Sequence, residues 1–214
     1  MPKPTWHHRE GVQTVGTLSV NKPVVAKPKA VPILEGFPST LIGKLIFCHQ
    51  DNLNTDGIYP GKYTYIDDFT PEQQAGVVME NYDPEFRNIA GKGDILAGGF
   101  NFGTGSSREQ AATALMHKGI RLVIAGSFSE TYKRNALNNG YLVLEIPLLI
   151  DTLQSQYGKD RLTVDTGDEI TLLFADSTAV YRGNSYSFDP VGKPAQELII
   201  AGGLEKWVKK NMNY

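Results

Sequence analysis

The sequence predicts an α/β fold in which a parallel sheet is flanked by helices, with additional short β-strands elsewhere in the domain. Between residues 94 and 146, apolar runs typical of buried strands alternate with mixed runs typical of helices. Two of the mixed runs begin with a Ser followed three residues later by a Glu, which is the signature of a capped helix start. The order strand, helix, strand, helix, strand indicates right-handed crossovers between parallel strands.

Composition supports a folded domain with many loops. Hydrophobic residues make up 41% and charged residues 21% of the 214 residues, unlike a disordered chain or a coiled coil. Twenty-one Lys and Arg against 23 Asp and Glu leave a formal charge of -2, so we expect no nucleic acid partner. The most apolar window, residues 141–150, is too short to span a bilayer, so we expect no membrane partner either.

Two regions along the chain differ in pattern. Residues 1–33 are rich in Pro, Lys and Val and lack a helical period, which predicts a linker or an extended arm. Residues 34–214 have a globular pattern and are predicted to form one domain. No targeting segment is visible in this chain.

The domain is predicted to begin with two buried strands and a helix. The strands are residues 45–48, which read Leu-Ile-Phe-Cys, and residues 94–97, which read Asp-Ile-Leu-Ala. Ser106 and Glu109 form the first capping signature, and Gly119 ends the helix that follows.

A strand at residues 121–125 comes next. Ser127 and Glu130 form the second capping signature, and the second helix ends at residues 139–140, Asn-Gly. Residues 141–146 are the third strand of this alternating unit.

The last third of the domain is predicted to be mostly β. Residues 170–174 and 178–181 are shorter strands, and residues 196–210 are a closing helix interrupted near Gly202 and Gly203. We expect the later strands to form a second, mostly β layer packed beside the α/β unit.

The segment that points to function joins a predicted strand to a predicted helix start. It reads Gly-Gly-Phe-Asn-Phe-Gly-Thr-Gly-Ser-Ser-Arg-Glu over residues 98–109. Gly103 and Gly105, on either side of Thr104, allow the backbone to approach a ligand closely. Free amides and the positive end of the helix dipole then favour an anion such as phosphate or carboxylate.

Familiar motifs do not fit this segment. A dinucleotide fingerprint needs a glycine where Arg108 stands, a Walker loop needs Gly-Lys before Ser or Thr, and a nucleophile elbow needs a glycine after the serine. A glycine-rich turn in which Ser106 merely caps the helix stays open as an alternative. Ser106, Ser107 and Arg108 nevertheless place two hydroxyls and a planar guanidinium in one turn, which is more recognition capacity than a cap requires.

Two segments resemble the swivelling domain of the aconitase superfamily. Residues 101–109, Asn-Phe-Gly-Thr-Gly-Ser-Ser-Arg-Glu, resemble its signature, and residues 51–60, Asp-Asn-Leu-Asn-Thr-Asp-Gly-Ile-Tyr-Pro, resemble its other active-site loop. The two segments lie in the expected order, and the resemblance extends over residues 38–205. It implies a swivelling β/α/β domain for residues 34–214.

Two details resemble one branch of that superfamily. Gln110 follows Ser-Ser-Arg-Glu where aconitases and isopropylmalate isomerases usually carry His, and residues 60–65 read Pro-Gly-Lys-Tyr-Thr-Tyr. With these, the chain most resembles the homoaconitases of fungi. The resemblance implies reversible hydration of homoaconitate to homoisocitrate, in the α-aminoadipate route to lysine, and a mitochondrial location.

The resemblance also implies a 4Fe–4S cluster, which this superfamily holds with three cysteines of other domains. The chain has one cysteine, Cys48, in an apolar run, and we expect it to be a core residue. We therefore expect no metal site in this chain. It should need cluster-bearing core domains or a large subunit as partner, and it should be inactive alone.

The resemblance assigns roles in the second loop. Ser106 matches the catalytic base, Arg108 matches a clamp for a substrate carboxylate, and Ser107 should help through its amide or hydroxyl. A neutral serine is a very weak base, so this role requires an alkoxide stabilised by the helix N-terminus, neighbouring amides and Arg108.

Three residues of the first loop are further candidates for substrate binding. Thr55 and Asp56 match family positions, and we expect the Asp56 carboxylate to orient polar groups rather than meet the anionic substrate. The alternative for Asp56 is a turn residue that bonds its own backbone before Gly57. Lys62 is a candidate partner for the distal carboxylate of a tricarboxylate, against the alternative of a solvated lysine.

Three functional hypotheses stay open. The first is the swivelling domain of a homoaconitase, which closes over a cluster-bearing core. The second is the small subunit of an isopropylmalate isomerase-type hydro-lyase. The third is a stand-alone module that binds a phosphorylated or polycarboxylate metabolite without turning it over.

Overall fold

Residues 31–212 are described by a computed structural model, so almost all of the predicted linker or arm at residues 1–33 lies outside the described residues. Seven strands within this range form one sheet. In chain order they are β1 (Thr40–Cys48), β2 (Ile95–Gly98), β3 (Val123–Ala125), β4 (Val143–Glu145), β5 (Thr163–Leu173), β6 (Thr178–Tyr181) and β7 (Asn184–Ser187).

Eight α-helices surround the sheet within the described part of the chain. They are α1 (Thr55–Ile58), α2 (Pro71–Val77), α3 (Phe86–Ile89), α4 (Gln110–Lys118), α5 (Glu130–Asn138), α6 (Pro147–Tyr157), α7 (Lys193–Ala201) and α8 (Leu204–Asn211). In the described range, no helix has the length and apolar character needed to cross a membrane.

The strand order is β4-β3-β2-β1-β5-β6-β7. Strands β1, β2, β3 and β4 pair in parallel, which confirms the predicted α/β class. The pairs β1 with β5, β5 with β6 and β6 with β7 are antiparallel. The expectation of a second β layer is wrong, because β5 pairs along almost the whole length of β1, from Thr40 with Leu173 to Cys48 with Thr163. The later strands therefore extend the same sheet.

The parallel half of the sheet is buried on both faces. Leu45 and Phe47 of β1 pack in one apolar cluster, and the alternate residues Ile46 and Cys48 pack in the other. Each cluster continues into helices, α4 and α5 on one side and α6 on the other. Parallel strands covered on both faces read as continuous apolar runs, which is why the sequence revealed them.

The predicted start of the first long helix is wrong. Helix α4 begins at Gln110, its N-cap residue is Glu109, and no side chain caps it. Its end is as predicted, since Gly119 has φ +91° and its amide donates to the last carbonyls of the helix. Ser106 is therefore not a helix cap.

The second predicted cap is displaced by two residues. Ser129, not Ser127, caps α5, and its hydroxyl accepts a bond from Tyr132 N at 3.3 Å. Ser127 Oγ instead accepts a bond from Asn101 N at 2.9 Å and so joins two loops. Helix α5 ends at Asn139 and Gly140, as the sequence predicted.

Several elements were not predicted. Helix α6 follows directly after β4 with Pro147 at its first turn, where a missing amide costs nothing. Helix α2 has a complete capping box between Thr70 and Gln73. The predicted closing helix is two helices, α7 and α8, separated at Gly202 and Gly203 as expected.

Candidate functional site

Two loops meet at the carboxyl ends of β1 and β2, the edge of a parallel sheet where ligands usually bind. We call residues 51–62 the first loop and residues 99–108 the second loop. Backbone bonds join them and continue the parallel pairing of the two strands. They run from Asn52 N to Phe100 O (2.7 Å), from Gly103 N to Leu53 O (2.8 Å) and from Thr55 N to Thr104 O (2.8 Å).

The two glycines of the second loop have different surroundings. Gly103 is buried at φ +74°, and an added Cβ would lie 2.3 Å from Cγ of Tyr132, so its missing side chain makes room for that ring. Gly105 is exposed at φ +98°, and the nearest atom to an added Cβ would be 3.5 Å away. Packing excludes a side chain at Gly103, whereas at Gly105 only the left-handed backbone favours glycine.

Ser106 is exposed, and its hydroxyl is oriented by the buried Thr55. Thr55 Oγ1 donates to Ser106 O at 3.0 Å and lies 3.1 Å from Ser106 Oγ. Because Thr55 uses its one proton on the carbonyl, the bond between the hydroxyls is donated by Ser106. The lone pairs of Ser106 Oγ then remain available on the exposed side.

The turn that carries Ser106 holds free amides. Within residues 31–212, the amides of Gly105, Ser106 and Ser107 donate to no acceptor, whereas Arg108 N donates to Ser106 O at 2.8 Å. Successive unpaired amides in a turn form an anion-binding concavity. Their presence fits the anion preference predicted from the sequence.

Arg108 and Asp56 connect the two loops. Arg108 Nη1 donates to Asp56 Oδ1 at 2.7 Å and to Tyr59 O at 3.2 Å. This bond, followed by one from the Gly61 amide, lowers the pKa of Asp56 below its ordinary value, so the carboxylate stays ionised. The Asp56 carboxylate thus bonds Arg108, whereas the Gly57 amide in the turn donates to Asn54 Oδ1 at 2.7 Å.

Sequence reasoning missed a third segment of the site, the turn at residues 78–83. Asn81 Nδ2 donates to Asp56 Oδ2 at 3.0 Å, and Met79 N donates to Ile58 O at 2.7 Å. Met79 is fully buried with φ +63°, an unusual conformation for a residue with a side chain. No motif or spacing marks this turn, because its link to the first loop is entirely tertiary.

The same turn engages Lys62. Lys62 Nζ lies 2.7 Å from Glu80 Oε1 and 4.7 Å from the centroid of the Tyr63 ring. The bond to Glu80 raises the pKa of Lys62 and keeps the ammonium charged. Lys62 is thus an exposed but paired cation at the end of the first loop.

Comparison with known proteins identifies the family. A sequence model described as the aconitase C-terminal domain matches residues 17–148, which is more than half of the chain. The chain belongs to the aconitase C-terminal domain family. The site described above therefore lies in an aconitase C-terminal domain.

The similar proteins are much longer than this aconitase C-terminal domain. The mitochondrial homoaconitase of Candida albicans is 47% identical over 193 residues, covering 86% of this chain and 28% of the relative. The mitochondrial homoaconitase of Kluyveromyces lactis is 50% identical over 194 residues, with the same coverage. This chain thus spans about 28% of the length of these relatives.

A solved structure has a similar fold. The 3-isopropylmalate dehydratase of Methanocaldococcus jannaschii superposes with a TM-score of 0.67 at 29% identity, covering 81% of this chain and 96% of that chain. The match covers almost all of that solved chain, so in this similar protein the fold forms nearly the whole of a separate chain.

The residues of this aconitase C-terminal domain do not fit an iron–sulfur cluster. In residues 31–212, no three His, Cys, Asp or Glu side chains come together in a way that would hold a metal. Cys48 is fully buried, and burial raises the pKa of its thiol to about 12. A cluster ligand must be a thiolate, so Cys48 is a core residue, as predicted.

Proposed function

We propose that this chain is the swivelling half of a homoaconitase active site and catalyses reversible hydration of homoaconitate to homoisocitrate only together with cluster-bearing core domains or a large subunit. One observation carries the proposal. At the edge where the two loops meet, an exposed serine oriented by Thr55 lies one turn from a guanidinium held on one side by Asp56. Ser106 is exposed and the Arg108 side chain is half-buried with free donors, as expected of half a site.

Ser106 is the proposed base. In dehydration it takes a proton from the carbon next to a substrate carboxylate, and in hydration it returns that proton. Ser106 first releases its hydroxyl proton to solvent, which ends its bond to Thr55, and the free amides of the turn then stabilise the alkoxide that accepts the substrate proton. Because α4 begins only at Gln110, we assign this stabilisation to the amides and Arg108 rather than to the helix end.

Arg108 is the proposed carboxylate clamp, and Ser107 is the proposed assistant. One nitrogen of the guanidinium is held by Asp56 and Tyr59, and the rest makes no hydrogen bond to residues 31–212. A planar guanidinium with free donors binds a carboxylate through two parallel bonds. The exposed Ser107 amide and hydroxyl complete the same anion site, together with the backbone of Gly103, Thr104 and Gly105.

The other candidates of the first loop have distinct proposed roles. Thr55 and Asp56 orient Ser106 and Arg108, respectively, and do so without meeting the substrate charge. Lys62 binds the distal carboxylate of the tricarboxylate substrate. To do so, that carboxylate must displace the Glu80 carboxylate from the Lys62 ammonium.

The partner supplies the rest of the enzyme. We propose that the 4Fe–4S cluster is bound by the core domains or large subunit, because this chain has one cysteine and it is buried. The fungal relatives are named mitochondrial homoaconitases, and we propose the same location and a place in lysine biosynthesis for this chain.

Two other functions have an observation in their favour. The likeness to 3-isopropylmalate dehydratase favours the small subunit of an isopropylmalate isomerase-type hydro-lyase. The free amides of residues 105–107 favour a stand-alone anion-binding module. The three proposals differ in partner requirement and in substrate, so one experiment separates them.

The experiment measures hydration by the chain alone and by the chain combined with the cluster-bearing core of the Kluyveromyces lactis homoaconitase. Homoaconitate, the citrate series and the isopropylmalate series are compared as substrates. We expect activity with homoaconitate in the mixture only, and a loss of about 100-fold or more with Ser106→Ala. Ser155→Ala, on the exposed face of α6, is the matched control and should keep full activity.

A second arm covers the case in which the two pieces do not associate. The matching segment of the Kluyveromyces lactis enzyme is replaced by this chain, so that the covalent connection is kept. An active chimera that is insensitive to Ser106→Ala would contradict the proposed base. A preference for isopropylmalate substrates would select the second function, and tight tricarboxylate binding by the chain alone without turnover would select the third.

A further inference from the structure

We infer that Asn81 is a positioning residue that holds the Asp56 carboxylate in a single-point contact with Arg108, so that the rest of the guanidinium stays free for a substrate carboxylate. The identity of that ligand rests on the proposed function. The effect of Asn81 on Asp56 and Arg108 does not, because it concerns only contacts within this chain.

Arg108 uses only part of its hydrogen-bonding capacity inside the domain. Its Nη1 atom makes both bonds, to Asp56 Oδ1 and Tyr59 O, while Nη2 and Nε bind no acceptor within residues 31–212. Nη2 passes close over Gly61, where an added Cβ would lie 2.9 Å away. The half-buried side chain thus presents two unused donor groups beside a residue with no side chain.

Both oxygens of Asp56 are occupied by different partners. Oδ1 accepts from Arg108 Nη1 at 2.7 Å and from Gly61 N at 2.9 Å. Oδ2 accepts from Asn81 Nδ2 at 3.0 Å, and the same amide nitrogen lies 3.1 Å from the Asp56 carbonyl oxygen. Asn81 therefore contacts both the side chain and the backbone carbonyl of Asp56.

This arrangement opposes the usual preference of the pair. A carboxylate beside a guanidinium tends to form two parallel bonds, which would bring Oδ2 to Nη2 or Nε. Such a turn of the carboxylate would consume the donors that a substrate needs. Asn81 prevents it by holding Oδ2, and as a neutral amide it does so without competing with Arg108 for charge.

The support for Asn81 is rigid. The side chain projects from the turn at residues 78–83, in which Met79 is fully buried and Met79 N donates to Ile58 O at 2.7 Å. Tyr82, in the same turn, is also buried, and its hydroxyl donates to Leu162 O. A side chain on a fixed turn can set the direction of another group, whereas one on a loose loop cannot.

The structural test uses crystals of the full chain and of Asn81→Ala. We expect the Asp56 carboxylate to turn in the variant, so that both its oxygens lie within about 3 Å of Arg108 nitrogens. Asn88→Ala is the matched control, since Asn88 is an exposed asparagine whose side chain bonds only Glu85 among residues 31–212. An Asp56 contact that is unchanged in Asn81→Ala would overturn the inference.

The kinetic test uses the chain combined with its core domains. With Asn81→Ala we expect KM to rise about tenfold and kcat to stay within about twofold, because substrate loses donors of Arg108 while Ser106 is untouched. Asn81→Gln retains the amide donor and should recover most of the affinity, and the melting temperature should be the same for all variants. A fall in kcat and in melting temperature without a change in KM would mean a merely structural role.

The two tests separate the two proposals. If the wild-type combination hydrates none of the three substrate series, the proposed function fails, but the crystals still decide how Asn81 acts on Asp56. If hydration is normal and the carboxylate does not turn, the inference about Asn81 fails and the proposed function is unaffected.

Discussion

Two segments of this domain look the same in sequence and differ in structure. Ser106 precedes Glu109 and Ser127 precedes Glu130 by three residues, and both pairs lie between a strand and a helix. In the second segment the helix begins at Glu130 and a serine caps it. In the first, the helix begins after Glu109, no side chain caps it, and Ser106 stays exposed.

The difference shows what a serine at a helix start can be used for. The Ser129 hydroxyl makes two structural hydrogen bonds, since it accepts from Tyr132 N at 3.3 Å and donates to Gly103 O at 2.6 Å. The amides around Ser106 have no acceptor in the described part of the chain, and the Ser106 hydroxyl contacts the hydroxyl of Thr55. A side chain caps α5 but not α4, although capping stabilises a helix start. The segment before the uncapped helix α4 carries the candidate site.

The largest expected effect comes from disturbing the packing of Gly103, which precedes Ser106, against Tyr132 of α5. Gly103→Ala places a Cβ 2.3 Å from the Tyr132 ring and adds a side chain at a positive φ. We expect the free energy of unfolding to fall by about 3 kcal/mol or more. Gly105→Ala, which has only the positive φ, should cost about 1 kcal/mol. Urea unfolding of the full chain measures both, and equal losses would show that packing against Tyr132 is unimportant.

The next effect compares the two serines directly. Ser129→Ala removes a cap and should lower the free energy of unfolding by about 1 kcal/mol. Ser106→Ala removes no cap and should change it by less than about 0.5 kcal/mol. Thermal and urea unfolding give both values. A loss for Ser106→Ala as large as that for Ser129→Ala would restore the helix-cap interpretation of Ser106.

The smallest effect concerns the ion pair that joins the loops. The contact with Arg108 lowers the pKa of Asp56 below its ordinary value of 3.8 in the folded protein. The contact therefore stabilises the fold at pH values above 3.8, and this contribution is lost as the pH falls through the folded-state pKa. Because about half of the Asp56 side chain is exposed, we expect less than about 1 kcal/mol.

The measurement is the free energy of unfolding of wild type and Asp56→Asn as a function of pH. The difference between them should be constant at neutral pH and should shrink in acid below about pH 4. A difference that grows as the pH falls would contradict the ion pair as its source.

Much of the fold and the position of the site were predictable from local patterns. The runs at residues 45–48 and 95–97 are apolar at every position because both faces of the parallel sheet are covered, and such runs identify strands. Gly119 and Gly140 marked the helix ends because a left-handed residue there favours glycine. The two candidate loops were identified by the resemblance of their sequences to a known family, and the structure brings them together.

The errors arose where a choice depends on distant partners. Whether the later strands form a new layer depends on the free edge of β1, which local sequence does not describe. Whether Ser106 or Glu109 stands at a helix start depends on Thr55, whose hydroxyl bonds the Ser106 carbonyl and so holds the turn out of the helix.

Short windows of sequence are sufficient to predict the α/β class, the helix ends, the buried cysteine and the residues of the two loops, because these follow from periodicity, glycine conformation and residue chemistry. The three-dimensional contacts of residues 31–212 were needed to establish the single sheet, the uncapped start of α4, the bond between Asp56 and Arg108, and the contact of Asn81 with Asp56. Those features are contacts between side chains or strands far apart in the chain, and their geometry exists only once the loops have been brought together.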